Sequence, residues 1–404
     1  MRYSLRAVLP LPFIATLLAV ASPATAAAQM PGPLEGCDSN NGKASNRTSI
    51  HDDDGVRRLR ISWSNDRCSI DARAEGKFEL ESDLSDVKSM ARGAYLEIDL
   101  RRDGERRRYE VSREGDTLER HYTVNRAEQP IDEEARRWIA TMILELERRT
   151  GFAAPARVAD LLRRGGPTAV MDEVSTMSSD YVQRRYLSIM LDSAKLAEPE
   201  VRRAVTLAGE ELASDHEHAN FLVDLSRGNY VTAAVAGDFV KSTANINSDY
   251  ERRRALGAVL TIPDLPPATI GELLRAAGSF NSDHERAELL IATAKANGLP
   301  DGVARDAYLE GASGIRSDYQ KYRVLTGLTK MELSEDQLVA LLSVAKGIDS
   351  DYQLATLLVD VSADRTLDGR ARDAYLAATE TINSDHERRR ALTALLGENK
   401  RAQM

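Results

Sequence analysis

A Ser-Asp-[Tyr/His] triplet recurs seven times, beginning at Ser179, Ser214, Ser248, Ser282, Ser317, Ser350 and Ser384, at intervals of 33 to 35 residues. Self-similarity at such a period marks a stacked array, in which each unit buries its apolar face only against its neighbours. An apolar residue stands two positions before each Ser: Met177, Leu212, Ile246, Phe280, Ile315, Ile348 and Ile382. A leucine stands eight after: Leu187, Leu222, Leu256, Leu290, Leu325, Leu358 and Leu392. Eleven after, six of the seven are apolar and Thr293 is the exception.

These offsets describe a helix that starts at the triplet. The Ser is an N-cap, accepting from an otherwise orphaned backbone N–H. Three residues on stands Glu217, Glu251, Glu285 or Glu387, with Gln320 and Gln353 in two further copies and Val182 in the first. Ser-x-x-Glu/Gln is the sequence of a capping box. The Asp falls in the first turn, where the helix dipole favours negative charge. About 34 residues hold two helices and two turns, so a second helix precedes each triplet, as over Ser334 to Ala345. The expectation for residues 131–404 is an α-solenoid of seven helical pairs, closed by a polar tail from Gly397 to Met404. A helix over 132–149 opens it, with Ala135, Trp138, Ile139, Met142, Ile143 and Leu146 on one stripe.

Before Pro130 the hydrophobic period is two. Leu59, Ile61 and Trp63 alternate with polar residues, as do Ala94, Leu96, Ile98 and Leu100, then Tyr109 and Val111, then Tyr122 and Val124. Asp103-Gly104 and Glu114-Gly115-Asp116 are hairpin turns. Residues 57–130 therefore read as a small antiparallel β domain, with strands near 57–65, 68–75, 77–81, 94–102, 105–113 and 117–124. The fold class is α+β. Arg101, Arg102, Arg106, Arg107 and Arg108 crowd one hairpin, interleaved with Glu97, Asp99, Glu105 and Glu110. That mixture favours a solvated hairpin over an anion site.

Residues 1–28 read as a signal peptide, with Arg2 and Arg6 ahead of a 13-residue apolar stretch over 8–20 and small residues at Ala24, Ala26 and Ala28. The stretch is short of the ~20 residues of a membrane span. Export to the periplasm or the cell exterior follows, with no transmembrane span after signal cleavage. Residues 29–56 read as a flexible polar segment. In an exported chain Cys37 and Cys68 are candidates for a disulfide. Leu34-Glu35-Gly36-Cys37 also has the outline of a lipoprotein box, which makes lipidation at Cys37 the minor alternative.

The passage from strands to helix around Trp138, together with the seven triplets, resembles uncharacterised bacterial exported proteins that join a small β region to Ser-Asp-Tyr/His-Glu helical repeats. Similar segments occur beside beta-lactam-sensor-like membrane metallopeptidases. The resemblance covers roughly residues 57–395. It implies the architecture and an envelope setting, and carries no catalytic residues. The period equals that of tetratricopeptide repeats, but their Trp/Leu-Gly/Tyr/Ala/Pro pattern is absent.

His216-Glu217, His284-Glu285 and His386-Glu387 open like a zinc helix, but Asn220, Glu288 and Arg390 stand where its second His belongs. Ser85-Asp86-Val87-Lys88 and Ser343-Val344-Ala345-Lys346 fit Ser-x-x-Lys without the companion elements of penicillin-recognising enzymes. No catalytic, cofactor or metal constellation emerges. With 54 Lys+Arg against 63 Asp+Glu, the net charge of −9 argues against nucleic acid. Stacking aligns Tyr181, His216, Tyr250, His284, Tyr319, Tyr352 and His386 in one row. A position that takes Tyr or His alike is expected as a half-buried inter-repeat contact; the rival is a strip that grips an extended partner. The reading is a non-enzymatic interaction or scaffold module whose partner is another envelope protein or an extended peptide. The alternative is a sensing domain of an envelope stress system with a ligand at the β–solenoid junction, and a third is a hydrolase with an unrecognised site.

Overall fold

The computed structural model describes residues 34, 45–53, 56–299, 302–363, 365 and 367–401, and consists of an antiparallel β region followed by a helical array. The strands are β1 (Ser45–Asp53), β2 (Val56–Ser64), β3 (Cys68–Gly76), β4 (Phe78–Leu80), β5 (Val87–Met90), β6 (Tyr95–Arg102), β7 (Glu105–Glu114), β8 (Thr117–Val124) and β9 (Ala127–Glu128). Seven form one antiparallel sheet in the order β1-β2-β3-β6-β7-β8-β9, and β4 pairs with β5. The register sets Ile61 opposite Ala72, Ala72 opposite Ile98 and Ile98 opposite Tyr109, so one apolar line crosses four strands. Asp103 and Gly104 both have positive φ (52° and 85°), the geometry that matches a two-residue turn to strand twist.

The apolar face of this sheet is covered by α1 (Glu133–Thr150). Asp132 caps it by accepting from Ala135 N at 2.9 Å, and Gly151 ends it at φ 63°. Ile139, Met142, Ile143 and Leu146 join the core formed by Leu59, Ile70, Ile98 and Tyr109, while the second core begins at Ala154. The expected boundary near residue 130 marks the change of periodicity, but packing divides the chain after Ala153. The helix expected to open the array belongs to the sheet.

The array follows as α2 (Ala154–Val174), α3 (Asp180–Ser193), α4 (Glu198–Glu211), α5 (Asp215–Arg227), α6 (Ala236–Ser242), α7 (Asp249–Val259), α8 (Pro267–Gly278), α9 (Asp283–Asn297), α10 (Val303–Ser313), α11 (Asp318–Thr329), α12 (Glu335–Ala345), α13 (Asp351–Ala363), α14 (Gly369–Thr379) and α15 (Asp385–Arg401). The triplets open α3, α5, α7, α9, α11, α13 and α15. Each of these packs on the next triplet helix, and each intervening helix packs on the next intervening helix. The result is seven stacked pairs.

The periodic positions become the core. All seven residues before the triplets are buried, from Met177 to Ile382. The leucines eight after each Ser are fully buried in six copies; Leu392, with no pair packed over it in this chain, is half-buried. Thr293 is buried too, its hydroxyl donating to Leu289 O at 2.7 Å. Each buried leucine contributes about 1.5–3 kcal/mol.

Two expectations need correction. The segment 29–56 contains β1, which pairs along its length with β2, and Leu34 is fully buried in the β core. β1 (Ser-Asn-Arg-Thr-Ser-Ile-His-Asp-Asp) has almost no apolar alternation, because an edge strand can be held by its ladder and by contacts such as Trp63 Nε1–H to Thr48 Oγ1 at 3.0 Å. β5 and β9 were also unmarked by the pattern, being four and two residues long. Residues 1–28, expected as a signal peptide, and Cys37 lie outside the described residues. Among the described residues no helix is long and apolar enough to cross a membrane.

Candidate functional site

The triplet row is built from two sets of hydrogen bonds, one within each helix and one between neighbours. Within the helix, Ser214, Ser248, Ser282, Ser317, Ser350 and Ser384 accept on Oγ from the N–H three residues on, at 3.3–3.5 Å. Ser179 occupies the N-cap position but makes no side-chain cap bond, which corrects the expectation for the first copy.

The reciprocal half of the expected capping box does not form at these helices. The N-cap N–H instead donates to the Asp of the preceding triplet. Ser214 N donates to Asp180, Ser248 N to Asp215, Ser282 N to Asp249, Ser317 N to Asp283, Ser350 N to Asp318 and Ser384 N to Asp351, all at 2.6–2.8 Å. Asn247, Asn281, Arg316 and Asn383 add a second backbone N–H to Asp215, Asp249, Asp283 and Asp351. The aspartates are therefore rungs of an inter-repeat ladder. The Glu or Gln of each motif is released to pair elsewhere: Glu217 with Arg184, Glu285 with Arg253, Glu387 with Arg390.

Two further positions stitch the stack. Four residues after the Ser, in every copy but the sixth, where Leu354 stands, a polar side chain reaches carbonyls or a hydroxyl at the end of an intervening helix. Gln183 donates to Met177 O at 3.1 Å, Lys321 to Gly347 O at 2.6 Å and Arg388 Nε to Ile382 O at 2.9 Å. Arg252 donates to Ser279 Oγ at 3.0 Å, and burial lowers its pKa. His218 holds the same position in the second copy. It is buried, shares a 3.0 Å contact with Ser242 Oγ, and burial pushes its pKa down to about 4. Because the Ser242 hydroxyl donates to Val205 O, the neutral ring donates from Nε2.

Six residues after the Ser, arginine and a partner alternate. Arg254 reaches Asn220, Arg323 reaches Glu288 and Arg390 reaches Thr356, at 2.8–3.1 Å. Triplet helices thus couple two by two. Nothing in the single-repeat pattern announces this; the alternation appears only when copies are compared in pairs.

The Tyr/His row lies on the outside of this stitching. Tyr181, Tyr250, Tyr319 and Tyr352 are 51%, 53%, 57% and 65% exposed. His216, His284 and His386 are exposed as well. The half-buried packing role expected for these rings is not observed, because the Asp ladder one residue earlier already fills the inter-repeat contact. Arginines stand over three of the rings: Arg253 over Tyr250 at 5.6 Å, Arg323 over Tyr319 at 5.8 Å and Arg390 over Tyr352 at 5.6 Å. His216 sits 3.0 Å from Glu251 and 2.9 Å from Asn220.

Cys68 is disulfide-bonded, and the chain's other cysteine is Cys37. The arginine hairpin is neutralised by the acids interleaved with it: Arg106 pairs with Asp99, Arg107 with Glu105 and Glu134, and Arg108 with Glu97 and Glu110. Beside it, Leu100, Arg102, Asp103, Glu105, Arg107 and Trp138 line an open groove of about 400 Å³ between the sheet and α1. Asp86, in the first Ser-x-x-Lys, accepts from Tyr109 Oη at 2.5 Å and Arg120 at 2.8 Å, so it anchors the β core. At the sheet–array passage, buried Glu147 accepts from Tyr186 Oη at 2.6 Å and Ala153 N at 2.5 Å. Among the described residues no group of three or more His, Cys, Asp or Glu is placed to hold a metal. Compared with family models, with curated proteins and with solved structures, the chain finds no match.

Proposed function

We propose that this chain is a non-enzymatic protein-interaction module of the bacterial envelope, and that its docking surface is the row from Tyr181 to His386. The observation that carries the reading is the exposure of one aromatic ring per repeat on a surface where most neighbouring positions are engaged in stitching the array. Large exposed rings at a fixed repeat position are costly to solubility unless they meet a partner. The extended, repetitive surface suits a long partner rather than a small molecule.

The test is affinity capture from envelope extract with the chain lacking residues 1–28, beside a variant carrying Tyr250→Ala, Tyr319→Ala and Tyr352→Ala. Circular dichroism establishes that the variant folds. A partner held by the first and lost by the second supports the row as the docking surface. Equal capture by both removes it from that role.

A second reading, a sensing domain of an envelope stress system, draws on the groove between the hairpin and α1. Its apolar floor of Leu100 and Trp138 and its mixed rim of Arg102, Asp103, Glu105 and Arg107 suit a small zwitterionic amphiphile. Quenching of Trp138 fluorescence by such a ligand, absent in Arg107→Ala, is the corresponding test.

A further inference from the structure

We infer that the row takes a proline-rich segment in the polyproline II conformation, one turn per repeat; this rests on the row being the docking surface. Three observations point there. First, among the described residues the hydroxyls of Tyr181, Tyr250, Tyr319 and Tyr352 form no hydrogen bond, whereas those of Tyr186, Tyr230 and Tyr308 all donate to a neighbour. The same residue type is used inside as a satisfied core group and outside as an unspent donor. Second, arginines stand beside three of the rings, Arg253 and Arg254 at Tyr250, Arg323 at Tyr319 and Arg390 at Tyr352, and hold those rings in place. A ring held in place loses little entropy on binding.

Third, the spacing fits. Packed helices stand ~8–10 Å apart, so the rings recur at about that distance. A polyproline II helix advances ~9.3 Å per three-residue turn and presents the same face each time. A β-strand repeats a face every ~6.6–6.8 Å and falls out of step. Two turns of α-helix, ~10.8 Å, come close. An α-helix, however, spends its carbonyls internally and needs an apolar groove. The positions beside the rings are polar: Asn220, Arg254, Glu288, Arg323 and Thr356. Polyproline II leaves every carbonyl free to accept from a tyrosine hydroxyl, which is how aromatic-lined grooves read Pro-x-x-Pro segments. The row's arginines are already engaged with Asn220, Glu288 and Thr356. Recognition therefore depends on ring spacing rather than on charge.

The experiment is fluorescence anisotropy on the full chain without residues 1–28. The probes are a labelled peptide of about 18 residues with proline at every third position, a half-length version, and a full-length version with the same composition and permuted prolines. An amphipathic helical peptide and a linear disaccharide-repeat glycan are run beside them. The expected result is binding of the periodic peptide, about tenfold tighter than its half-length form because more rings engage at once. Permuted prolines weaken it about tenfold, Tyr250→Ala weakens it severalfold, Tyr250→Phe weakens it less, and salt between ~50 and ~300 mM changes it little. Equal binding of the permuted peptide, or preference for the helical peptide or the glycan, overturns the inference. If no peptide binds while the triple-tyrosine variant still loses its envelope partner, the occupant is wrong and the docking surface stands. If that variant keeps its partner, both fall.

Discussion

Asp249 offers a sharp test of the ladder, because Asp385 holds the same helical position with no later triplet helix among the described residues. Asp249 accepts from Asn281 N and Ser282 N at 2.8 and 2.7 Å and is half-buried. Asp385 opens α15 in the same way but is exposed, with no donor to its side chain among the described residues. If these aspartates served only the helix dipole, replacing either by Ala would cost about 0.3–1 kcal/mol. A hydrogen bond to a charged acceptor contributes about 1.5–3 kcal/mol, and water can partly replace the lost carboxylate at this half-exposed turn. Asp249→Ala is therefore expected to cost about 2–3 kcal/mol and Asp385→Ala less than about 0.5 kcal/mol. Asp249→Glu keeps the charge and the dipole but displaces the acceptor, so it should lose most of the same stability. Urea unfolding followed by circular dichroism gives the sizes, and amide hydrogen exchange at residues 281 and 282 reports the local loss. Equal effects of Asp249→Ala and Asp385→Ala, or retained protection at those amides, would refute the inter-repeat role.

Other outcomes follow from the same structure. His218 is held neutral, so its contribution is complete above pH ~6.5 and is lost as pH falls towards about 4; the swing is about 3 kcal/mol, and His218→Gln should flatten that part of the stability–pH curve. Tyr186→Phe deprives buried Glu147 of a donor and is expected to cost about 2–3 kcal/mol, whereas Tyr250→Ala on the exposed row should change the melting transition by less than about 0.5 kcal/mol. Cys68→Ser is expected to cost about 3 kcal/mol in the β region while leaving the helical signal of the array in place, measured by near- and far-ultraviolet circular dichroism.

The sequence made the seven pairs legible because burial follows periodicity: Leu187 to Leu358 are core wherever a neighbour lies above them. Strands β2, β3, β6, β7 and β8 were legible for the same reason, through one buried face. β1 was not, because its stability comes from backbone pairing, which leaves no side-chain pattern. The row was visible as an alignment, but whether its rings faced inward depended on which neighbour supplied the inter-repeat contact. The aspartates held that clue. A dipole would accept Glu equally well, yet Asp stands in all seven copies, as a fixed distance between backbones requires. The pairing of Arg254 with Asn220 was hidden in a period twice the one sought.

The ladder also has a direction. Six of the seven carboxylates accept from the amide of the copy that follows, so a pair appended after α15 would find Asp385 in position to order its first turn. At the opposite end α1 is committed to the sheet, and Ser179 has no aspartate behind it. Duplication at the carboxyl end therefore extends an existing seam, whereas insertion next to the sheet must create one.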